Sequence, residues 1–417
     1  MVAFTAPISY NRLKSKLFYP YIIIHYTFVK GFMAIFFKVF KIFFIMNVKT
    51  LYLKNFRNYE EETFSFSDGI NILSGKNAQG KTNAAEAIFF LCTGYSPRAG
   101  RDKLLVRHGE ENAQIKGVAG SAYGDVSVKI DIFTEGYKNI YVNGLQVVKA
   151  GDLLGNVHSV FFNPSELKLV QESPEDRRRF MNVSLSQISK SYFYALVRYN
   201  KILLQRNNLL KDPDRGIIRE TLPVWDAELT RHAAIIIRQR NDFLAELAPV
   251  AEEKHAFITG GAETLKLKTE SGYSGTEAEI ADALLTDLKN AYERDLRLGY
   301  TSIGPHRDDI KFTLGGTDVR VFGSQGQQRT VALSLKLAET ETFNRRLGEY
   351  PILILDDVLS ELDRSRQKRL IAATEHLQTI FTAAEYSPSL FKGKSINKYV
   401  IEGGRVKTRS VKGEAKD

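Results

Sequence analysis

One eight-residue stretch, Gly75-Lys-Asn-Ala-Gln-Gly-Lys-Thr82, limits the fold of this chain more than any other feature. Residues 69–74 before it read as a short strand, and residues 83–91 after it read as a helix with an apolar face. A glycine-containing loop between a strand and a helix lets backbone N–H groups surround a phosphate. The stretch therefore matches the P-loop pattern in its proper context and predicts a site for a nucleoside triphosphate.

The residues of this loop have separate expected roles. Lys81 should reach the β and γ phosphates, and the hydroxyl of Thr82 should hold Mg²⁺. The residues expected to bind the nucleotide are Gly75, Lys76, Asn77, Ala78, Gln79, Gly80, Lys81, Thr82 and Asn83.

A second part of the same site is predicted far along the chain, at residues 352–357. Four apolar residues lead into Asp356 and Asp357, which is the form of a buried parallel strand whose carboxyl end faces a ligand. Asp356 is expected to hold the Mg²⁺ bound by Thr82, and Asp357 to polarise the attacking water. Lys81, Asp356 and Asp357 are thus the predicted catalytic residues.

Residues 323–329 contain a second candidate anion site. Ser324, Gln325, Gly326 and Gln327 open a helix, and helix N-termini attract phosphate. Two phosphate-binding helix starts in one chain indicate that two chains face each other, each supplying half of each site. The alternative is an ordinary glycine-containing loop with a good helix cap.

The net charge of +10 is a weak indication of nucleic-acid binding because it is unevenly distributed. Residues 1–45 contain six basic residues and no acid, which leaves only +4 for the remainder. That N-terminal stretch is rich in Phe, Tyr, Ile and Lys, as translated A/T-rich DNA would be, so we expect an over-extended gene start with the true start at Met46. A membrane-associating leader is the alternative. The single cysteine, Cys92, excludes an intramolecular disulfide.

Alternating and helical patterns divide the chain into parts. Strand patterns, including a hairpin at Asn143-Gly144, fill residues 46–165. Helical periodicity begins after Ser173-Pro174, a start signal, and marks three long helices, at about 174–211, 223–246 and 277–296. The predicted parts are a head at 46–165 and 299–405, a helical arm at 166–298 and a flexible tail at 406–417.

Several motifs together resemble those of the RecF family, bacterial recombination-mediator ATPases of the ABC/SMC-like class. The similarity runs from about Met46 to about Arg405. The motifs are Leu53-Lys-Asn-Phe-Arg-Asn-Tyr59, the P-loop with Asn83 and Glu86-Ala-Ile88, Phe162-Asn-Pro164, Ser173-Pro174 with Arg177-Arg-Arg-Phe180, Gly304-Pro-His-Arg-Asp-Asp309, Gly323-Ser-Gln-Gly-Gln-Gln-Arg329 and Leu355-Asp-Asp-Val-Leu-Ser-Glu-Leu-Asp363.

This resemblance implies an α/β fold, an ABC-type P-loop ATPase head split by an inserted antiparallel helical arm. It implies ATP and Mg²⁺ as cofactors, and a homodimer that ATP closes on duplex DNA near single-strand gaps. It further implies slow ATP hydrolysis that DNA stimulates, a RecR-type partner and a role in loading recombinase. The expected location is the cytoplasm, in association with the nucleoid, and no membrane partner is expected.

The resemblance also assigns two loops to the dimer. Ser324, Gly326 and Gln327 look like the signature loop that touches the partner subunit's γ-phosphate. Ser360, Glu361 and Asp363 look like the loop that meets the opposing P-loop. Three features depart from the pattern: Ala78-Gln79 in the P-loop, Asn163 where a glutamine is usual, and Thr382 where transporters have histidine.

Arg177, Arg178 and Arg179 are candidates for DNA binding. The helix dipole disfavours cations in the first turn of a helix, and residues placed against such a preference often have a function. Pairing with nearby acids or with another domain is the alternative. His306 is expected to be structural. Arg57, Arg98 and Arg101 could serve either nucleotide or DNA.

Two other functions remain open at this stage. A transporter ATPase would need a Q-loop glutamine and a switch histidine. An SMC-like or Rad50-like structural ATPase would need a much longer helical insertion than this chain has.

Overall fold

The computed structural model describes residues 44–412. The expectations for the N-terminal stretch and for residues 413–417 therefore lie outside the described residues. The strands, in chain order, are β1 (Phe44–Ile45), β2 (Asn47–Phe56), β3 (Tyr59–Ser65), β4 (Ile70–Ser74), β5 (Asn112–Ser121), β6 (Gly124–Phe133), β7 (Lys138–Val142), β8 (Leu145–Gln146), β9 (Ser159–Phe162), β10 (Leu265–Thr269), β11 (Ile310–Leu314), β12 (Thr317–Asp318), β13 (Glu349–Tyr350), β14 (Ile352–Asp356), β15 (Thr379–Ala383), β16 (Ile396–Glu402) and β17 (Arg405–Lys412).

The helices accompany these strands in an α/β order. They are α1 (Lys81–Thr93), α2 (Lys168–Gln171), α3 (Pro174–Ile188), α4 (Lys190–Leu209), α5 (Arg215–Thr259), α6 (Glu277–Asn290), α7 (Tyr292–Leu298), α8 (Val319–Phe322), α9 (Gln325–Leu347) and α10 (Arg364–Ala373). Short 3₁₀ turns include Pro164–Leu167 and Leu359–Glu361.

A six-stranded sheet of order β17-β16-β4-β15-β14-β9 carries the predicted nucleotide motifs. Strands β16, β4, β15, β14 and β9 are parallel to their neighbours, and β17 is antiparallel to β16. The carboxyl ends of β4, β14 and β15 consequently lie at one edge. This edge receives the P-loop, Asp356 and Thr382, as the sequence predicts for the first two.

A second, antiparallel sheet of order β3-β2-β5-β6-β7-β8 lies on the other side of α1. One apolar core joins α1 to both sheets, because Ile88 and Leu91 of the helix share it with Ile115 and with Ile354. The predicted hairpin at Asn143-Gly144 is confirmed, and both residues have positive φ.

The helical insertion contains the expected long helices with different ends. The predicted helix at 223–246 is part of α5, which has 45 residues and contains Pro223 and Pro249. Each proline removes one backbone bond, but the buried stripe along α5 continues past both. The first predicted helix is divided at Ser189, whose extended backbone ends α3 and whose side chain accepts from Tyr192 N at the start of α4.

The base of the insertion shares a core with the head. Phe180 and Phe243 of the insertion belong to the same buried cluster as Leu335 and Phe343 of α9. The proposed boundaries at 166 and 298 stay predictions. Sequence analysis missed β10, which pairs with β11 of the head.

The prediction of a flexible tail from residue 406 is wrong for residues 406–412, because they form most of β17. The strand pairs with β16 along its length, for example Arg409 with Tyr399. Basic residues masked a strand in which Val406 and Thr408 alternate with them. Within residues 44–412 the structure has no helix that combines the length and the hydropathy of a membrane span.

Candidate functional site

The P-loop has the backbone conformation that its two glycines allow. Gly75 has φ 145° and Gly80, the N-cap of α1, has φ 117°. A Cβ atom at Gly75 would lie 2.3 Å from the carbonyl oxygen of Ile401, so β16 packs directly against the loop. Ala78 also has positive φ, at 63°. The departure from the usual glycine there therefore carries some backbone strain.

Two turns that are remote in sequence hold the loop in place. The side chain of Asn58 donates to Gln79 O at 3.0 Å, and Tyr59 OH donates to Gly80 O at 2.9 Å. On the other side, the backbone N–H of Gly403 donates to Gln79 Oε1 at 2.7 Å. Sequence analysis missed Gly403, whose only signal is a Gly-Gly pair between two strands.

Lys81 lies where a bound anion would need a cation. Its Nζ donates to the carbonyl oxygens of Gly75 at 2.7 Å and Lys76 at 2.8 Å, both in the P-loop. Burial lowers the pKa of Lys81, while the nearby Asp357 and Asp356 oppose that shift. The loop therefore presents an ammonium group and backbone N–H groups together, which fits a phosphate.

Thr82 and Thr382 both donate to one oxygen of Asp356. The distances to Asp356 Oδ1 are 2.8 Å from Thr82 Oγ1 and 2.5 Å from Thr382 Oγ1. Burial raises the pKa of Asp356, and the two hydroxyl hydrogen bonds oppose this. The structure thus brings together the two predicted Mg²⁺ ligands, and their hard oxygen atoms are the type that Mg²⁺ prefers.

Asp357 lies beside this cluster with φ 53°. Its backbone N–H donates to Thr382 Oγ1 at 3.0 Å, which fixes the turn after β14. A cleft of about 400 Å³ opens next to Asp356 and Asp357. The other residues that line it are Phe162, Pro164, Leu167, Arg329, Leu333, Val358, Glu361 and Leu362.

The Ser324 loop is a capped helix start on the surface. Ser324 Oγ accepts from Gln327 N at 3.2 Å, and Gln327 Oε1 accepts from Ser324 N at 2.7 Å, which makes a capping box. Ser324, Gln325 and Gly326 are exposed. The N-terminus of the 23-residue helix α9 is consequently open to a ligand or to another chain.

The second predicted dimer loop is also exposed. Ser360 Oγ donates to Asp357 O at 2.8 Å, and Asp363 caps α10 by accepting from the backbone N–H groups of Ser365 and Arg366. These cap bonds lower the pKa of Asp363. Glu361 forms an ion pair with Arg329 of α9, so the two loops are linked within one chain.

Glu86 organises the arginines near the P-loop. Its carboxylate is buried and pairs with Arg57 at 3.0 Å and with Arg98 at 3.3 Å. Ser96 Oγ also donates to it, at 2.5 Å. Arg98 in addition donates to Asn83 Oδ1 at 3.0 Å, so it lies next to the nucleotide motif. Arg57 therefore has a structural role, and Arg98 remains available to the site.

The three candidate DNA-binding arginines have different environments. Arg177 is buried and makes a two-bond contact with the carboxylate of Asp309, so its proposed contact with DNA is wrong and the alternative, pairing with another part of the fold, is right. Arg178 is partly buried and donates to Asp308 O. Arg179 is exposed and lies near Glu175. Only Arg178 and Arg179 stay candidates.

The structural role expected for His306 is confirmed. Its Nδ1 lies 2.5 Å from Tyr199 OH, and its Nε2 lies 3.0 Å from Thr301 O. Burial lowers the pKa of His306 to about 4, so the ring is neutral at neutral pH.

Comparison with known families and proteins gives a consistent picture. Residues 47–387 match the family model described as the RecF/RecN/SMC N terminal domain. A DNA replication and repair protein RecF from Ruminiclostridium cellulolyticum is 40% identical over 87% of this chain and 99% of its own length. A protein of the same description from Agathobacter rectalis is 41% identical over 81% of this chain and 92% of its own length.

Solved structures agree in fold. A recombination mediator protein RecF with ATP, described as part of the RecFOR pathway, has a TM-score of 0.80 and 33% identity over 89% of this chain and 99% of its own. An Smc head bound to the C-winged helix domain of ScpA has a TM-score of 0.52 and 16% identity over 88% of this chain and 98% of its own, which shows the ABC-type fold alone.

Proposed function

The chain belongs to the RecF family, and from that membership we propose that ATP closes two copies of it into a dimer on duplex DNA near single-strand gaps. It is a recombination mediator ATPase of DNA replication and repair. The observation that carries the proposal is the pairing of Thr82 with Asp356 at the edge of the central sheet, together with an exposed signature loop.

The residues of one chain account for binding of the triphosphate. The backbone N–H groups from Gly75 to Gly80 and the ammonium of Lys81 neutralise phosphate charge. Thr82 and Asp356 would hold Mg²⁺, which supplies charge neutralisation between the β and γ phosphates. Thr382 keeps Asp356 oriented through its hydrogen bond.

A second copy explains the exposed loops. Ser324, Gln325 and Gly326 are exposed in the described part of the chain, and the hydroxyl of Ser324 accepts a hydrogen bond from Gln327 N of its own loop. We assign them, with Gln327, to the γ-phosphate of the partner subunit. Ser360, Glu361 and Asp363 would meet the opposing P-loop. ATP bound between the two copies then acts as a switch element that holds the dimer closed.

Hydrolysis would reopen the dimer. Asp357, whose turn is fixed by Thr382, would orient a water molecule, and Lys81 would stabilise the charge that develops on the transferred phosphoryl group. We expect slow turnover, because ATP must remain bound for the dimer to stay closed on DNA. We also expect DNA to stimulate this turnover.

The names of the relatives support a proposal about the remaining partners. Solved relatives are described within the RecFOR pathway, and we propose a RecR-type partner and help in loading recombinase for this chain. We also propose a cytoplasmic, nucleoid-associated location. Arg178 and Arg179 are the candidates from sequence that remain for contact with DNA phosphates.

Sizing of the chain with and without ATP and Mg²⁺ tests the proposal. The wild-type chain should dimerise with ATP, and Lys81→Ala should stay monomeric because phosphate charge is no longer neutralised. Lys54→Ala, at an exposed position of β2, removes a lysine outside the site and should behave as wild type. Absence of an ATP-dependent dimer in the wild type would refute the shared site.

A further inference from the structure

The geometry points to an anion site in a groove between α4 and α5, and we propose that this groove binds the backbone phosphates of DNA. The inference rests on the proposed function and deepens it by placing DNA contact on the helical arm. The groove has a volume of about 490 Å³. Its lining residues are Arg198, Lys201, Ile202, Gln205, Trp225, Glu228, Arg231 and His232.

Two cations of the groove form no ion pair within the described part of the chain. Arg198 and Lys201 are exposed and lie three residues apart on α4, which places them on one face of the helix. Within residues 44–412 neither forms an ion pair, in contrast to most arginines of the head. A cation that is exposed toward a groove and unpaired is free to take a phosphate oxygen.

The opposite wall of the groove, on α5, adds no net charge. Arg231 and His232 of α5 both approach Glu228, at 3.8 Å each, so the negative charge of Glu228 offsets the positive charge of Arg231. With a neutral imidazole, Arg198, Lys201 and Arg231 against Glu228 leave two positive charges in the groove. Burial lowers the pKa of His232 and the nearby Arg231 lowers it further, which agrees with a neutral imidazole.

The neutral groups of the groove also suit a phosphodiester. Nδ1 of His232 is buried without a hydrogen-bond partner among the described residues. The amide of Gln205 supplies a further donor to a phosphate oxygen. Trp225 is partly buried against the core and offers an apolar face beside the charges. Duplex DNA has one negative charge per about 1.7 Å of its axis, so a groove with spaced cations meets several phosphates of one backbone.

Trp225 makes a direct test possible because it is the chain's single tryptophan. We expect gapped duplex DNA, added to the full chain at low salt, to change its fluorescence along a saturable curve and salt to reverse the change. The double variant Arg198→Gln/Lys201→Gln should bind this DNA at least about tenfold more weakly. The log of its association constant should also fall less steeply with the log of the salt concentration. The slope should be smaller than that of wild type by about 2, because two phosphate contacts are lost.

A matched control removes the same charge from other faces of the arm. Arg238 is paired with Asp242, and Lys289 is exposed on α6, so Arg238→Gln/Lys289→Gln should keep the wild-type affinity and salt slope within about twofold. The charge-keeping exchange Arg198→Lys/Lys201→Arg should also bind as wild type. These variants separate loss of the groove from loss of net charge.

The outcomes distinguish this inference from the proposed function. If wild type binds no DNA, the proposed function fails. If wild type binds DNA but the groove variant and the control variant bind it equally, the groove inference fails and the proposed function stands. If inorganic phosphate changes the emission of Trp225 and DNA does not, the groove is a site for small anions, and its assignment to DNA is wrong. Thermal melting checks the fold of each variant, and the single changes Arg198→Gln and Lys201→Gln repeat the test.

Discussion

Gln327 of the signature loop and Glu263, four residues after the end of α5, are joined by a hydrogen bond of 2.5 Å from Nε2 to Oε1. The side-chain oxygen of Gln327, Oε1, accepts a hydrogen bond from Ser324 N. One glutamine therefore connects the helix cap that would face a partner's nucleotide to the segment that follows the 45-residue helix of the arm. This gives a physical connection between the nucleotide surface and the arm.

Removal of the Glu263 carboxylate should loosen that cap. We expect Glu263→Ala to weaken the ATP-dependent dimer about three- to tenfold, since a side-chain hydrogen bond contributes about 1 kcal/mol, and to leave ATP binding by the P-loop unchanged. Glu263→Gln keeps an acceptor and should dimerise as wild type. Analytical ultracentrifugation with ATP measures this, with Glu252→Ala as the control because Glu252 pairs only with exposed Lys266 of the arm in the described structure. Equal dimerisation of all variants would remove Glu263 from the mechanism.

The site could be predicted from the sequence where local rules apply. The contact of Thr82 with Asp356 could be predicted because Asp356 ends one parallel strand and Thr82 comes shortly after another. The carboxyl ends of parallel strands lie at one edge of a sheet. The contacts of Gln327 with Glu263 and of Gln79 with Gly403 have no local signature. They depend on how the arm and the last hairpin return to the head, which a pattern along the chain does not contain.

The buried pair of Arg177 with Asp309 should matter for stability rather than for DNA. Arg177→Ala leaves the Asp309 carboxylate without its partner, and breaking a buried pair in this way costs about 3–5 kcal/mol. Arg179→Ala, at an exposed ion pair with Glu175, should change the unfolding free energy by less than about 1 kcal/mol. Urea unfolding measures both. Similar losses for the two variants would contradict the burial argument.

The hydroxyl of Thr382 should matter for turnover more than for ATP affinity. Thr382→Val removes one hydrogen bond to Asp356, and bonds to charged groups are worth about 1.5–3 kcal/mol, so kcat should fall about 10- to 100-fold. Loss of that bond also raises the pKa of Asp356, so the acid limb of the pH–rate profile should move to higher pH. Thr382→Ser keeps the hydroxyl and is the control. An unshifted profile for Thr382→Val would count against this role.

Burial of neutral His306 should make stability depend on pH. Its pKa is about 4 in the folded chain and about 6.5 in the unfolded chain. The unfolded state therefore binds the extra proton first, and the stability present above about pH 6.5 is lost as the pH falls toward 4, at no more than about 1.4 kcal/mol per pH unit. Urea unfolding between pH 7 and 4 should show a shallower loss for His306→Asn than for wild type. Parallel curves would contradict it, because the other histidines are common to both proteins.

The ends of helices and strands were harder to predict than their existence, and single residues show why. Pro223 and Pro249 favour helix ends, yet α5 runs through both because its buried stripe supplies more free energy than two lost backbone bonds remove. The Lys- and Arg-rich composition after Gly403 is typical of a mobile tail. Pairing with β16 overrides it, since β16 itself is fixed beside the P-loop strand.

The turn between β16 and β17 gives a matched pair of tests for its hold on the P-loop. Gly403 and Gly404 have φ 59° and 72°, so an alanine at either position has a similar backbone cost of about 1–2 kcal/mol. Among the described residues, the new Cβ at Gly404 would lie 2.3 Å from the carbonyl oxygen of Asn58, whereas nothing lies within 4 Å of a new Cβ at Gly403. Asn58 holds Gln79 of the P-loop, so Gly404→Ala should weaken ATP binding severalfold more than Gly403→Ala, measured by equilibrium titration with ATP. Equal ATP affinities for the two variants would mean that the hairpin does not support the loop.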